Sequence, residues 1–372
     1  MRKHHPRNER IKRRYFAYLE EAKRMKPSSV DQVAAAIAVF EASTGWRDFR
    51  NFHIEQARKF KRDLAQQMNP ATGKPLAKAT VYSRLMALRA FFLWLAGQPG
   101  YRSCLAYADA DYFNPSANDS RVATATRQRP VPTVEQVKLV LDTMSSATEI
   151  QHRDRALIAF TLLTGARDDA IASLSLKHVD LERRSVFQDA REVRTKNAKT
   201  FTSWFFPVGE DVEAVVSDWI AWLRREKHFG EDDPLFPATK IGLNADGHFA
   251  SVGLDRKHWK NAHAIRRIFK SAFESAGLDY FHPHSFRKTL ARLGEQICPT
   301  AEAFKAWSQN LGHESVMTTF RSYGEVQPER QAEIIRSLAT RPPDGQSTSP
   351  GSQLVPVEAD KLNRLFAKLG ID

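Results

Sequence analysis

Residues 311–324 read LGHESVMTTFRSYG and combine a Gly-His pair with a tyrosine ten residues after the histidine. Its Leu-Gly-His start predicts a turn, the residues that follow predict one short helix, and Gly324 ends that helix just after Tyr323. A tyrosine at a helix end is by itself most often a half-buried packing residue. The stretch therefore indicates a functional site only if reactive residues elsewhere in the chain join it.

Three upstream segments carry basic side chains that could do so. Arg167 follows a glycine-containing turn at the end of an apolar helix, a position from which a side chain can point inward. His284 and Arg287 stand three residues apart, so they point the same way on a helical turn. The segments read TGAR at 164–167, TKNAK at 195–199 and PHSFR at 283–287.

The charge of the chain favours a polyanionic partner. Its 372 residues carry a formal net charge of +13, and the isoelectric point is near 9.7. Nucleic acid is the leading candidate, the alternative being a basic surface without a specific ligand. No signal-peptide core and no apolar run of membrane-spanning length occurs. We therefore expect a cytoplasmic, nucleoid-associated protein with no membrane partner.

Motifs for cofactors and metals are missing from the sequence. Cys104 and Cys298 are the two cysteines and lie far apart, without a CxxC or Cys/His run, so neither a disulfide framework nor a zinc site is expected. There is no Walker A motif, no GxGxxG and no paired-carboxylate metal signature. We expect no cofactor and no metal.

Hydrophobic periodicity predicts a mainly α protein with a small antiparallel β-sheet. Apolar residues recur at helical spacing within 30–43, 54–68 and 80–95. Short β-like runs flank a basic turn within 185–208, which predicts a hairpin or small sheet. A last amphipathic helix, 357–369, would bury its apolar stripe on its own domain or on a neighbouring copy.

Composition divides the chain into five parts. The first holds ten Lys/Arg against three Asp/Glu, and it is either a solvated basic arm or an arm that contacts phosphates. Proline and polar residues mark a linker in the middle of the chain. The parts are a basic N-terminal segment (1–29), a helical domain (30–116), a linker (117–132), a second domain (133–340), and a flexible strap with a C-terminal helix (341–372).

Taken in order, the TGAR, TKNAK, HSFR, LGH and Tyr-Gly motifs resemble those of the tyrosine recombinases, the phage integrase family. The match covers the second domain, and the helical domain before it looks like the family's DNA-binding core-binding domain. The resemblance implies an α+β catalytic domain. The catalytic residues that it implies are Arg167, Lys196, His284, Arg287, His313 and the nucleophile Tyr323.

The same resemblance implies a function. The protein would be a site-specific recombinase that cleaves and rejoins double-stranded DNA through a 3′-phosphotyrosyl intermediate, without metal or ATP. It would act as a homotetramer on paired DNA sites and would integrate or excise a mobile element. An accessory DNA-bending protein is compatible with this role.

The arginines suit phosphodiester cleavage by a side chain. The five-coordinate phosphorus gathers negative charge, and because the sequence has no metal signature the protein must supply the cations. Guanidinium groups do so with planar, permanently charged forks, and Arg167 and Arg287 fit that role. The alternative for both is a structural salt bridge, with Asp168, Asp169 or Glu295 as the partner.

The histidines suit proton transfer and phosphate binding. His284 would accept the tyrosine proton or bond the phosphate. His282 is its rival, and the family pattern, with the histidine three residues before the arginine, selects His284. His313 would bond a phosphate oxygen or support the nucleophile.

A lysine and a tyrosine complete the expected set. Lys196 would protonate the departing 5′ oxygen, and the resemblance favours it over Lys199 in the same turn, without deciding between them. Tyr323 would attack the phosphorus, and because the ordinary pKa of tyrosine is about 10, it needs a base and cationic surroundings. Tyr280 is the nearest rival nucleophile.

Two features depart from the family pattern. The interval from His313 to Tyr323 is ten residues, one longer than the commonest family spacing. Ala170 stands where the family often has an acid, so a role for Asp168 and Asp169 in orienting Arg167 stays open.

Two other functions remain as alternatives. A type IB topoisomerase, which relaxes supercoiled DNA, uses similar side chains. A non-catalytic DNA-binding protein would need none of the six residues.

Overall fold

The computed structural model describes residues 4–70, 72–125, 130–243 and 247–313. The chain divides into two compact units between residues 128 and 129, and each is described by itself. The prediction of a helix bearing Tyr323, and that of a strap and helix within 341–372, lie outside the described residues.

The first unit is helical. A π-helical turn, Tyr18–Ala22, directly continues its first helix. Its core is a cluster of aromatic rings in which Phe92 lies between Phe52 and Phe113, with ring centroids 4.6 and 4.9 Å away. The helices are α1 (Pro6–Ala17), α2 (Pro27–Ser43), α3 (Ile54–Gln66), α4 (Lys78–Ala96) and α5 (Ala117–Thr124), with 3₁₀ turns at Phe49–Asn51 and Tyr107–Phe113.

Helix α1 packs into the core of the first unit. Ile11, Tyr15 and Leu19 are buried in the aromatic core. The Lys12 ammonium lies 2.6 Å from a carboxylate oxygen of Glu41, whose side chain is fully buried. Lys12 also pairs with Glu9 on its own helix at 2.7 Å, but the contact with Glu41 joins two helices and so cannot be predicted from local periodicity.

The expected linker 117–132 is partly helical. Ser116 caps the N-terminus of α5 by accepting a hydrogen bond of 3.0 Å from the Asp119 N–H. The Asp119 carboxylate also lies 2.7 Å from the Lys78 ammonium at the start of α4. These two interactions give order to a segment whose composition alone is typical of a linker.

The second unit is built around a helix that is buried along most of its length. Helix α7 contributes Leu157, Phe160 and Leu163 to the core, each with no exposed surface. The helices are α6 (Val134–Thr143), α7 (Glu149–Thr164), α8 (Asp168–Ile171), α9 (Glu210–Glu226), α10 (His263–Ser275), α11 (Pro283–Ile297) and α12 (Ala301–Asn310), with 3₁₀ turns at Leu176–His178 and Lys196–Ala198.

Two small antiparallel sheets complete this unit. One has the order β1–β2–β3, formed by Val179–Asp180, Ser185–Gln188 and Phe201–Trp204, with Ser185 opposite Trp204. It contains the hairpin predicted within 185–208. The other sheet pairs β4 (Ala238–Leu243) with β5 (Phe249–Asp255). The prediction of a mainly α protein with a small antiparallel sheet is confirmed.

Sequence analysis did not predict the β4–β5 hairpin. Its side chains do not alternate between apolar buried and polar exposed positions, because Leu243 and Phe249 face each other and are 63% and 81% exposed. A strand without that alternation lacks the pattern by which strands are recognised.

Candidate active site

Arg287 lies at the centre of the candidate site. Pro283 and the N-cap residue His282 begin helix α11, which places Arg287 on its second turn, where the side chain is 5% exposed. Its guanidinium donates to the carbonyl oxygens of Gly165, at 2.6 Å, and of Leu311. Its Nη2 also lies 2.9 Å from Nε2 of His313. Arg287 thus joins the turn after α7 to the turn after α12.

The glycine of the TGAR motif allows this junction. Gly165 ends α7 with φ +61°, a backbone conformation that residues other than glycine rarely adopt. A Cβ atom there would lie 3.0 Å from methyl carbons of both Leu290 and Leu311. Glycine is therefore needed for the turn itself and for close packing against α11.

Arg167 follows this turn and stands at the N-terminal end of α8. It is half-buried, and burial lowers its pKa. Within the described ranges its side chain makes no hydrogen bond and no ion pair. The turn therefore holds a guanidinium whose charge is not neutralised by any carboxylate of the described residues.

Burial and the charge of Arg167 lower the pKa of Arg287 to about 9. Arg287 nevertheless keeps its proton at neutral pH, so two cations lie near each other. Neither forms a structural salt bridge within the described residues, and two of the three acids considered above have other partners. Asp168 lies 2.9 Å from Arg266, and Asp169 lies 3.0 Å from Arg194.

The two predicted histidines are neutral in this environment. Desolvation, followed by repulsion from Arg287 and Arg167, lowers the pKa of His284 and of His313 to about 4. Arginine has only donors, so Nε2 of His313 accepts from Arg287 and the ring proton resides on Nδ1. His284 is exposed, and its neutral ring can accept a proton.

His282, the rival of His284, has a structural role. Its Nδ1 accepts a hydrogen bond of 3.3 Å from the backbone N–H of His284, and its carbonyl accepts one of 2.7 Å from the Ser285 hydroxyl. It therefore caps helix α11.

We call residues 189–200, between β2 and β3, the lysine loop. Lys196 is exposed and begins a 3₁₀ turn in which Asn197 and Ala198 have φ of 60° and 52°. Lys199 is half-buried, and its Nζ lies 5.8 Å from the centroid of the Phe201 ring. Its charge is also among those that lower the pKa of His313. Lys199 is thus electrostatically close to the site, while Lys196 lies at the surface of the loop.

The structure brings together four of the six predicted residues, namely Arg167, His284, Arg287 and His313. Lys196 shows no contact with them, and Tyr323 lies outside the described residues. Sequence reasoning missed two supporting residues, Arg266 and Arg194, which pair with Asp168 and Asp169. Their partners are far away in the sequence, so no local pattern could have identified them.

No group of three or more His, Cys, Asp or Glu residues that could hold a metal ion occurs in the described part of the chain. Among the described helices, none is long and apolar enough to cross a membrane.

Among the described residues, two arginines without a carboxylate partner and two neutral histidines lie beside a basic loop, an arrangement whose charges suit a bound phosphate diester. Residues 131–330 match the model of the phage integrase family. The chain belongs to this family, and the prediction that it is a tyrosine recombinase is confirmed.

Known proteins with similar sequence or fold agree with this assignment. The tyrosine recombinase XerC of Escherichia coli is 25% identical over 315 residues, which cover 82% of this chain and 88% of that protein. A lambda integrase dimer bound to a COC′ core site has a similar fold, with a TM-score of 0.58, 13% identity, and coverage of 85% of this chain and 94% of that chain. A Tn1549 transposon integrase in complex with transposon right-end DNA has a TM-score of 0.54 at 15% identity, with 87% and 98% covered.

Proposed function

We propose that this protein is a site-specific DNA recombinase that cleaves and rejoins duplex DNA through a 3′-phosphotyrosyl intermediate. The observation that carries the proposal is the buried guanidinium of Arg287, which lies near Arg167 and two histidines and has no carboxylate partner among the described residues. A buried charge is costly unless it is paired. A phosphate diester supplies the missing negative charge.

The cleavage step uses the proposed residues as follows. The hydroxyl oxygen of Tyr323 attacks the phosphorus, and its proton passes to the neutral ring of His284. Arg167 and Arg287 bind the non-bridging oxygens as their charge grows. The bond from phosphorus to the 5′ oxygen breaks, and a lysine of the loop gives that oxygen its proton. Rejoining is the reverse reaction with a second 5′ hydroxyl.

Tyr323 is the preferred nucleophile over Tyr280. Desolvation raises the pKa of Tyr280, and this disfavours the phenolate that would attack. Tyr280 also lies close enough to Arg266 and Asp168 for their charges to act on it.

The proposed partner is double-stranded DNA, contacted by both units, with a homotetramer assembled on two sites. Support comes from the net charge of +13 and from the DNA-bound lambda and Tn1549 integrases described above. By the same likeness we propose integration or excision of a mobile element, in the cytoplasm at the nucleoid. An accessory DNA-bending protein is compatible with such an assembly.

Covalent capture tests the central claim. The purified protein is incubated with a nicked duplex carrying its cognate site, and the denatured products are examined for a protein–DNA adduct. We expect an adduct with the wild type and none with Tyr323→Phe. Absence of any adduct rejects the enzyme, and an adduct formed equally on arbitrary DNA favours a topoisomerase. An adduct that persists in Tyr323→Phe moves the nucleophile elsewhere, with Tyr280→Phe as the next variant.

The proposed reaction needs neither metal nor ATP, because arginines provide the charge and the phosphotyrosyl bond conserves the bond energy. Adduct formation should therefore be unchanged by excess EDTA and by removal of nucleotides. A requirement for either would contradict this part of the proposal.

The general acid is proposed to be Lys196 by its motif, with Lys199 as the alternative that lies closer to His313. A duplex with sulfur in place of the 5′ bridging oxygen separates them, because a thiolate leaves without a proton. The lysine whose alanine variant is slow on the oxygen substrate and normal on the sulfur substrate is the general acid.

The segment 341–372 is proposed to dock onto a neighbouring copy and to support the tetramer. Deleting it should weaken pairing of two DNA sites while monomers still bind one site. Unchanged assembly would rule this out.

A further inference from the structure

We propose that Asn310 is a positioning residue that holds the lysine loop against the turn carrying His313, and that it thereby acts on protonation of the leaving group. The inference rests on the proposed function. It assigns a role to a residue outside the set implied by the sequence motifs.

The first observation concerns the free edge of β3. Phe205 donates its N–H to the Arg184 carbonyl, at 2.8 Å. Successive residues of an antiparallel strand direct their backbone groups to opposite sides. The N–H and C=O of Trp204 therefore face away from β2, on the edge of the sheet.

Asn310 satisfies both of these edge groups with one side chain. The Trp204 N–H donates to Oδ1 of Asn310 at 2.6 Å, and Nδ2 of Asn310 donates to the Trp204 carbonyl at 2.9 Å. The amide thus replaces one residue of a neighbouring strand. Because Asn310 is the last residue of α12, the edge of β3 is bonded directly to the end of that helix.

A second contact fixes the other end of the same strand. Gly312 has φ +68°, and a Cβ atom there would lie 2.8 Å from the tip of the Phe201 ring. Phe201 begins β3 and directly follows the lysine loop. Asn310 and Gly312 therefore hold the two ends of β3, and His313 is the next residue.

The lysines themselves depend on this attachment. In the described structure, the ammonium groups of Lys196 and Lys199 form no hydrogen bond and no ion pair. Their position is set by the attached residues on either side of them. On one side is Arg194, which pairs with Asp169 at 3.0 Å and donates its N–H to the Ser173 hydroxyl at 2.9 Å, and on the other side is β3. Releasing β3 from α12 leaves the strand paired with β2 on one side only.

Asparagine is suited to this position by its chemistry. Its amide offers one acceptor and a donor at the spacing of a backbone peptide group, whereas aspartate keeps the acceptor and loses the donor. Asn310→Ala removes both hydrogen bonds and Asn310→Asp removes one. The matched control is Gln309→Ala, an exposed neighbour on α12.

The test measures the rate of covalent adduct formation by the full chain on two duplexes, one with the ordinary 5′ bridging oxygen and one with sulfur there. A general acid commonly contributes about 10²–10⁴-fold. We expect Asn310→Ala to be slower by about tenfold or more with oxygen, and within about threefold of wild type with sulfur. Asn310→Asp should be intermediate, Gln309→Ala normal, and DNA affinity unchanged in all three.

Each other outcome overturns the inference. Equal slowing on both substrates would mean that Asn310 acts through Arg287 or through the fold, and not through proton transfer. Normal rates of the Asn310 variants on both the oxygen and the sulfur duplex would mean that the lysine loop is positioned without Asn310. Failure of the wild type to form an adduct with either duplex rejects the proposed function itself, and this result is distinguishable from the first two.

Discussion

Arg287 Nη2 and His313 Nε2 lie 2.9 Å apart, although the residues are separated by 26 positions and lie on different elements. The contact fixes the tautomer of the histidine, because the arginine can only donate. It also directs the guanidinium toward the same space as Arg167. The geometry of a planar fork, and not charge alone, is therefore what the position requires.

Arg287→Lys tests this requirement. A lysine keeps the charge but cannot donate to Gly165, Leu311 and His313 with one rigid plane. We expect cleavage to fall by about 10²–10³-fold, as when one fixed donor to a transition-state oxygen is lost, with little change in DNA affinity. The measurement is the single-turnover rate of adduct formation. Arg183→Lys, at an arginine that is 80% exposed, is the control and should be normal.

The lowered pKa values of His284 and His313 predict how the free energy of unfolding depends on pH. Their pKa is about 4 in the folded protein and about 6.5 when unfolded. Between these values the unfolded chain binds more protons, so the free energy of unfolding falls as pH drops from 6.5 toward 4.

His313→Gln should lose part of this acid dependence, and His263→Gln, at the exposed start of α10, should keep it. The free energy of unfolding, from urea titrations at pH 4.5, 5.5 and 7, measures the effect. Parallel pH profiles for wild type and His313→Gln would contradict the assignment. Bound DNA should reduce the dependence, because phosphate favours the protonated ring.

Gly165→Ala tests the junction between the TGAR turn and α11. A left-handed alanine costs about 1–2 kcal/mol, and forcing a methyl against Leu290 and Leu311 costs about 1–3 kcal/mol more. Gly277→Ala is the matched control, because it shares a positive φ of +69° but has no atom within 4 Å of a new Cβ. Thermal unfolding should show the larger loss for Gly165→Ala. Equal losses would mean that packing at this turn is not tight.

Lys12→Met tests the docking of α1. The change leaves the buried carboxylate of Glu41 without its cation, which typically costs about 3–5 kcal/mol. The double variant Lys12→Met/Glu41→Leu should recover most of the stability, because no unpaired charge remains. Urea unfolding followed by tryptophan fluorescence measures both. If the single variant is as stable as wild type, α1 is attached by its apolar residues alone.

The sequence predicted those parts of the site that depend on local spacing. His284 and Arg287 share a helix face because they are three residues apart, and Gly165 indicates the turn before Arg167. The hydrogen bond from Arg287 to Gly165 spans 122 positions, so only the folded chain reveals it. The same holds for Asn310 with Trp204, which are 106 positions apart.

Local sequence patterns also could not predict features that depend on tertiary contacts. The contact of Lys12 on helix α1 with Glu41 on α2 joins residues 29 positions apart. The β4–β5 hairpin lacks the alternation that marks strands. Helical periodicity, in contrast, is a local property, and the helices that it predicts within 30–43, 54–68 and 80–95 match α2, α3 and α4.

The two acids that follow Arg167 have a consequence for inhibition. Asp168 and Asp169 stand next to a cation that must stay available for DNA, and each is held by another arginine. If Arg266 or Arg194 were lost, the released carboxylate would become a competitor of the substrate, attached to the enzyme and present at a high effective concentration. Such a variant would be inhibited by its own side chain, and removing that carboxylate as well should restore activity.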